Sequence, residues 1–132
     1  MVKGILIKEV NGDPSEEVSV ETLSGDLEDY YRALDCSYID IVSIKIGPHT
    51  VDLILDDEGL LNQRLPVVFS RDGEPMYVGS VFICSVDDEG SEVDLPDDAM
   101  DYILHNCMGK YAYNAESDFG VPEKREQLCL IV

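Results

Sequence analysis

Four cysteines and two histidines are the side chains best suited to nucleophilic or metal chemistry in this sequence, and their spacing supports neither. A thiol nucleophile needs an imidazole within hydrogen-bond reach. His105 and Cys107 are two residues apart, which on a helix points them about 200° apart, and Cys107 belongs to an apolar stripe. His49 follows Pro48 in a hairpin turn and reads as a solvated loop residue. Zinc asks for clustered ligands, whereas Cys36, Cys84, Cys107 and Cys129 are scattered without a C-x-x-C pair. Oxygen ligands do come close together in Asp56-Asp57-Glu58-Gly59 and its repeat Asp87-Asp88-Glu89-Gly90. Neither continues as a calcium loop with a Glu at the twelfth position, and a turn that ends a strand wants Asp and Gly for its own geometry. Phosphate-cradling glycine loops are missing from the sequence. Carboxylate pairs abound, but catalysis needs a cleft that splits two pKa values, and among 28 acids adjacency carries no information. The sequence therefore assigns no catalytic residue, no metal ligand and no cofactor, and it reads as non-enzymatic.

Charge is the stronger signal. Asp and Glu number 28 against 9 Lys and Arg, a formal net charge of −19. Such a field repels nucleic acid and anionic lipid and accelerates encounters with basic protein faces at low salt. The partner expected is a protein with a basic face, with no direct nucleic-acid or membrane contact and no indication of oligomeric state. The acids come in blocks: Asp26, Glu28 and Asp29 on one helix, the two turns, and a third group that runs into a second helix. The residues expected to make electrostatic contacts are Asp87, Asp88, Glu89, Asp94, Asp97, Asp98 and Asp101. Carboxylates three or four apart on a helix lie about 5 to 6 Å from one another, and alternate strand positions lie about 6.6 Å apart. Both spacings resemble successive phosphates, so the surface could occupy a protein groove built for DNA. Tyr111 and Tyr113 could line an exposed patch of their own.

The elements that would carry these residues follow from periodicity. Val2 to Val10 reads as a strand that leaves through the turn Asn11-Gly12-Asp13-Pro14 and returns through Glu17 to Val20. A helix capped by Ser24 places Leu27, Tyr30, Tyr31 and Leu34 on one face. Tyr38–Ile46 and Thr50–Leu55, split at Gly47-Pro48, read as antiparallel strands, and Tyr77 to Val86 as another. Leu65 to Phe69 is either a short strand or a buried connection. A second helix starts with Pro96 in its first turn, carries Met100, Ile103, Leu104 and Cys107 on one stripe, and stops at a left-handed Gly109. Lys110 to Arg125 reads as irregular and aromatic, before a final strand from Gln127 to Val132.

The expected fold is α+β, a small, mostly antiparallel sheet with two main helices. At 132 residues a chain buries roughly two thirds of its unfolded surface, so residues 1–132 are expected to form one domain without disulfides. The apolar run after Met1 is too short for a signal peptide or a membrane span, and the thiols read as reduced, which implies a cytoplasmic location. Cys129-Leu130-Ile131-Val132 matches a C-a-a-X box formally, but a buried terminal strand accounts for it better.

Val2-Lys3-Gly4-Ile5-Leu6-Ile7, Tyr38-Ile39-Asp40-Ile41-Val42, Asp56-Asp57-Glu58-Gly59-Leu60, Leu65-Pro66-Val67 and Val78-Gly79-Ser80-Val81-Phe82-Ile83 together resemble a small domain family carried on phages, plasmids and integrated elements and known only as a domain of unknown function. The likeness covers residues 2–86. Residues 91–132 form a helix and C-terminal strand extension outside it. Where relatives are expected to carry a small polar residue, usually Asn, after Leu-Pro-Val, this sequence has Val68. The resemblance implies a mobile-element origin and no chemistry. The function expected is that of an acidic accessory protein binding a basic protein surface, with DNA-mimic inhibition of a host defence or nucleic-acid-handling protein as its sharper form. A small enzyme or ligand-binding domain with its site between the sheet and the second helix, and a structural or assembly protein, are the alternatives.

Overall fold

The computed structural model describes residues 1–9, 18–61, 64–116, 120 and 122–132. Its first sheet is built from β1 (Val2–Ile7), β2 (Val18–Leu23), β3 (Ile39–Ile46), β4 (His49–Asp56), β7 (Val81–Val86) and β8 (Glu92–Val93). The spatial order is β2-β1-β7-β4-β3, with β8 added to β7, and every pairing is antiparallel. The second sheet contains β5 (Pro66–Phe69), β6 (Pro75–Val78), β9 (Met108–Glu116) and β10 (Pro122–Ile131) in the order β6-β5-β10-β9, with β5 and β10 parallel. Helix α1 spans Leu27–Leu34 and α2 spans Asp97–Asn106. The α+β class holds, but the sheet structure is large, not small.

Alternation makes the first sheet apolar on both faces. Ile5, Ile7, Leu53, Val81 and Ile83 point to one side, where α2 and the β5–β10 pair cover them with Ala99, Ile103, Val67, Val68 and Leu130. Val2, Leu6, Ile54, Phe82 and Cys84 point to the other, under Tyr30 and Leu34 of α1. Gly4 lets β1 approach β7, because a Cβ there would run into Ile83 O and crowd the Phe82 ring. Val68, at the position where the resemblance expects Asn, is fully buried opposite Leu130. Gln127, also fully buried, ties the two sheets together by donating through Nε2 to Lys8 O at 2.8 Å.

Several sequence expectations need correction. Tyr77–Val86 is not one strand. Gly79, at φ +88, turns a corner between β6 in the second sheet and β7 in the first. An apolar run has the same period on either side of a corner, so only the glycine marks it. Lys110 to Arg125 is not irregular where it is described, since β9 and β10 pair from Met108↔Leu130 to Glu116↔Pro122. Gly109 belongs to β9, where it makes room for Ile131, and α2 closes on Cys107 instead. Pro96 is the N-cap residue of α2 and Asp26 that of α1, while Ser24 Oγ accepts from Asp26 N at 3.2 Å and Ser24 N donates to Asp29 Oδ2 at 2.7 Å. His49 is no loop residue, since it opens β4 half-buried with its ring 5.6 Å from that of Tyr102. The turn expected at Asn11 to Pro14 lies outside the described residues.

Candidate functional site

The acidic residues singled out in the sequence share one end of the first sheet. Asp87, Asp88 and Glu89 form the tip between β7 and β8, Asp94 follows β8, and Asp97, Asp98 and Asp101 lie on the first two turns of α2. All seven are exposed. Three of them accept hydrogen bonds from backbone N–H groups. Asp87 Oδ1 accepts from Glu89 N and Ser91 N, each at 2.9 Å, and Asp94 Oδ1 accepts from Lys3 N at 2.8 Å. Lys3 is the one cation paired with this group among the described residues, with Nζ 3.6 Å from Asp97 Oδ1. Asp88, Glu89 and Asp101 have no such side-chain role there. Asp97 and Asp98 also face the positive end of the α2 dipole, and Asp98 Oδ1 accepts from Ala99 N at 2.9 Å.

The other Asp-Asp-Glu-Gly turn has the same local geometry in different surroundings. Asp56 Oδ1 accepts from Glu58 N at 2.9 Å, as Asp87 does from Glu89. An Asp carboxylate that closes the turn two residues on explains both copies without a metal ion. Because β4 and β7 run antiparallel with Leu55 opposite Val81 and Asp52 opposite Cys84, the two turns stand at opposite ends of the sheet. The first packs against β6: a Cβ on Gly59 would stand 2.8 Å from Val78 O.

Arg64 gathers carboxylates at this end. Its guanidinium lies 3.4 Å from Glu9 Oε2, 3.5 Å from Asp35 Oδ2 and 3.8 Å from Asp56 Oδ2, and Nη2 donates to Asp35 O at 2.7 Å. Asp35 presents that carbonyl from the left-handed residue (φ 51) that ends α1. The Glu9 and Asp56 side chains are 8% and 1% exposed and Arg64 is 26% exposed, so this is a largely buried cluster with two acids inside it. Asp56 Oδ2 is buried without a hydrogen-bond partner. Ser80, next to the corner glycine, accepts from Glu9 N at 2.9 Å and holds that acid in place.

Beside the cluster, a groove of about 440 Å³ runs between the Asp56–Leu61 stretch, the start of β3 and the strand β6. Leu55, Tyr77 and Val78 border its apolar side, and Asp40, Asp57 and Glu58 supply its charge. Leu60 and Leu61 are 82% and 78% exposed at its lip, with Met76 43% exposed opposite.

Nucleophilic chemistry has little footing among the described residues. Burial pushes the Cys84 thiol up to about 12, helped by the nearby Asp52 and Glu92 charges. Burial and Asp56 raise Cys36 to about 11, and burial raises Cys107 and Cys129. His105 Nδ1 sits 2.8 Å from the Asp101 carbonyl and is exposed, while Cys107 is buried, so the two do not pair.

Sequence reasoning missed Arg64 and its ring of acids. Their motifs were visible as Asp56-Asp57-Glu58-Gly59-Leu60 and Val78-Gly79-Ser80, but as turn chemistry. An arginine among only nine basic residues, next to a Leu60-Leu61 pair that follows a turn, was the available signal. Residues 5–107 match the family described as "Domain of unknown function (DUF3846)", a span that includes this cluster, the groove, the acidic tip and all of α2. No curated protein and no solved structure matches the chain.

Proposed function

The chain belongs to the DUF3846 family, and from that starting point we propose that it is a non-enzymatic accessory protein of phage or mobile-element origin that binds a basic surface on another protein in the cytoplasm. One observation carries the reading: seven exposed carboxylate residues, from the β7–β8 tip to the second turn of α2, face solvent with Lys3 as the one cation paired to them among the described residues. A surface so uncompensated is stabilised by any partner that brings positive charge to it. The sharper form of the proposal is occupation of a DNA-binding groove, supported by the i, i+3 and i, i+4 spacing of Asp97, Asp98 and Asp101 on one helix face.

Charge reversal at Asp88, Glu89 and Asp101, which leaves Asp87 and Asp94 to hold the fold, tests the proposal against proteins captured from a host lysate over a salt series. The proposal expects capture that weakens with salt and is lost on reversal, and competition with duplex DNA in the mimic form. Capture that ignores both salt and reversal refutes it. A ligand-binding reading also has one observation in its favour, the buried Asp56 beside the groove. That groove lies against β6 and not between the sheet and α2.

A further inference from the structure

We propose that the groove beside the first acidic turn is a second docking site, independent of the acidic tip, and that its occupant is a protein segment presenting a large apolar side chain next to lysine or arginine. The groove's two chemistries define that occupant. Leu60 and Leu61, 82% and 78% exposed, stand with Met76 and Tyr77 around a space of about 440 Å³, enough for a few side chains. Large apolar residues concentrated this way on a strongly charged surface mark a contact site. Asp40, Asp57 and Glu58 border the same space, and among the described residues no basic residue does. An uncharged apolar ligand would leave those carboxylates desolvated without a partner, whereas a flanking cation satisfies them.

The borders favour a polypeptide over a small molecule. On one side lies β3, at one edge of the first sheet, and on the other β6, at one edge of the second. Each outer strand has main-chain groups that its own sheet does not pair, the usual receiver of an added segment. Asp40 already covers one of them, since its Oδ1 accepts from Ile41 N at 2.9 Å. Asp40 thus closes β3 to indiscriminate pairing while presenting charge to the groove. The turn is held from beneath by Arg64 and by Gly59 packing on Val78, so the lip carrying Leu60 starts from a fixed base.

A displayed library of random twelve-residue peptides, panned against the full chain, supplies the probe, and fluorescence anisotropy with the enriched peptides supplies the affinity. The enriched sequences should place Leu, Phe, Met or Trp within two positions of Lys or Arg. Leu60→Ser with Leu61→Ser, both at exposed positions that leave the core intact, should weaken binding about tenfold or more. Asp57→Asn with Glu58→Gln should weaken it several-fold at low salt and flatten its salt dependence. Asp88→Lys with Asp101→Lys should leave it within about twofold at physiological salt, which separates this site from the acidic tip. Failure to enrich any peptide, enrichment of sequences without a basic residue, binding that survives loss of both leucines, or loss on changing the tip alone would each overturn the proposal.

Discussion

Arg64→Met removes the one cation paired with Glu9, Asp35 and Asp56 among the described residues and keeps much of the side chain's apolar bulk. At 3.4 to 3.8 Å the gross attraction to each buried acid is about 5 kcal/mol at an effective dielectric of 20. Desolvation of the three groups offsets most of that, and stripping one partner from a buried pair costs about 3–5 kcal/mol. Arg64 is about a quarter exposed, and Asp35, 91% exposed, contributes little, so a loss near the lower end, about 3 kcal/mol, is expected. Urea denaturation followed by circular dichroism should show the midpoint falling by about 1–2 M with an unchanged slope. Adding Asp56→Asn should restore about 1–2 kcal/mol, because it removes one stranded charge while its amide oxygen still accepts from Glu58 N. A loss below about 0.5 kcal/mol, the range of an ordinary surface change, or a double variant no more stable than Arg64→Met, would refute the claim that this arginine neutralises a buried acidic centre.

Asp87→Ala should cost about 1–2 kcal/mol, because two backbone N–H groups lose their acceptor, while Asp88→Ala should shift the urea midpoint negligibly. Gln127→Leu should lower stability by about 1–3 kcal/mol in the same assay, since the Lys8 carbonyl loses the donor that links β10 to the residue after β1. Alkali should destabilise the protein. With the Cys84 thiol raised from 9.0 to about 12 and the Cys36 thiol to about 11, the unfolded chain releases protons above pH 9 that the folded one retains. Stability then falls with rising pH by up to about 1.4 kcal/mol per unit for each group, until the folded thiol also ionises. Cys84→Ala should make the decline between about pH 9 and about pH 11 shallower even though it lowers stability at pH 7 by roughly 1–2 kcal/mol.

What the sequence conveyed depended on whether a signal was local. Helix α1 is legible from Leu27, Tyr30, Tyr31 and Leu34, and the β3–β4 hairpin from its alternation and from Gly47-Pro48, where Gly47 takes φ +58 as the first position of a II′-type turn requires. Strand β9 was not legible. Lys110, Tyr111, Ala112, Tyr113 and Asn114 alternate, but with few β-branched residues and no fully apolar face, and what makes them a strand is the length of β10 opposite. The parallel pairing of β5 with β10 joins residues about 60 apart in sequence, so no window of local pattern could reveal the second sheet. The Arg64 cluster failed in the same way. Asp56 and Arg64 flank one connection, but Glu9 and Asp35 come from the ends of β1 and α1, and only the packing of those elements brings them to the arginine.

The two Asp-Asp-Glu-Gly turns separate what the net charge does for the fold from what is left for a partner. Identical in sequence and in the hydrogen bond that closes them, they differ in what covers them. Asp56 lies under Arg64 and β6, at 7% exposure, whereas Asp87 and its neighbours stand in solvent. Composition alone treats these acids as equivalent, yet neutralising Asp56 in the first turn disturbs a buried ion cluster and neutralising Asp88 or Glu89 in the second disturbs nothing internal. Among the described residues the tip and the α2 face are poor in cations, while an arginine sits among the buried acids at the other end. Lys3 is the exception at the tip, and its backbone N–H already binds Asp94, so even that cation is placed by the strand it lies in. The charge at Asp88, Glu89 and Asp101 is therefore one part of −19 that no hydrogen bond or ion pair among the described residues accounts for, as the charge of Asp57 and Glu58 is at the other end.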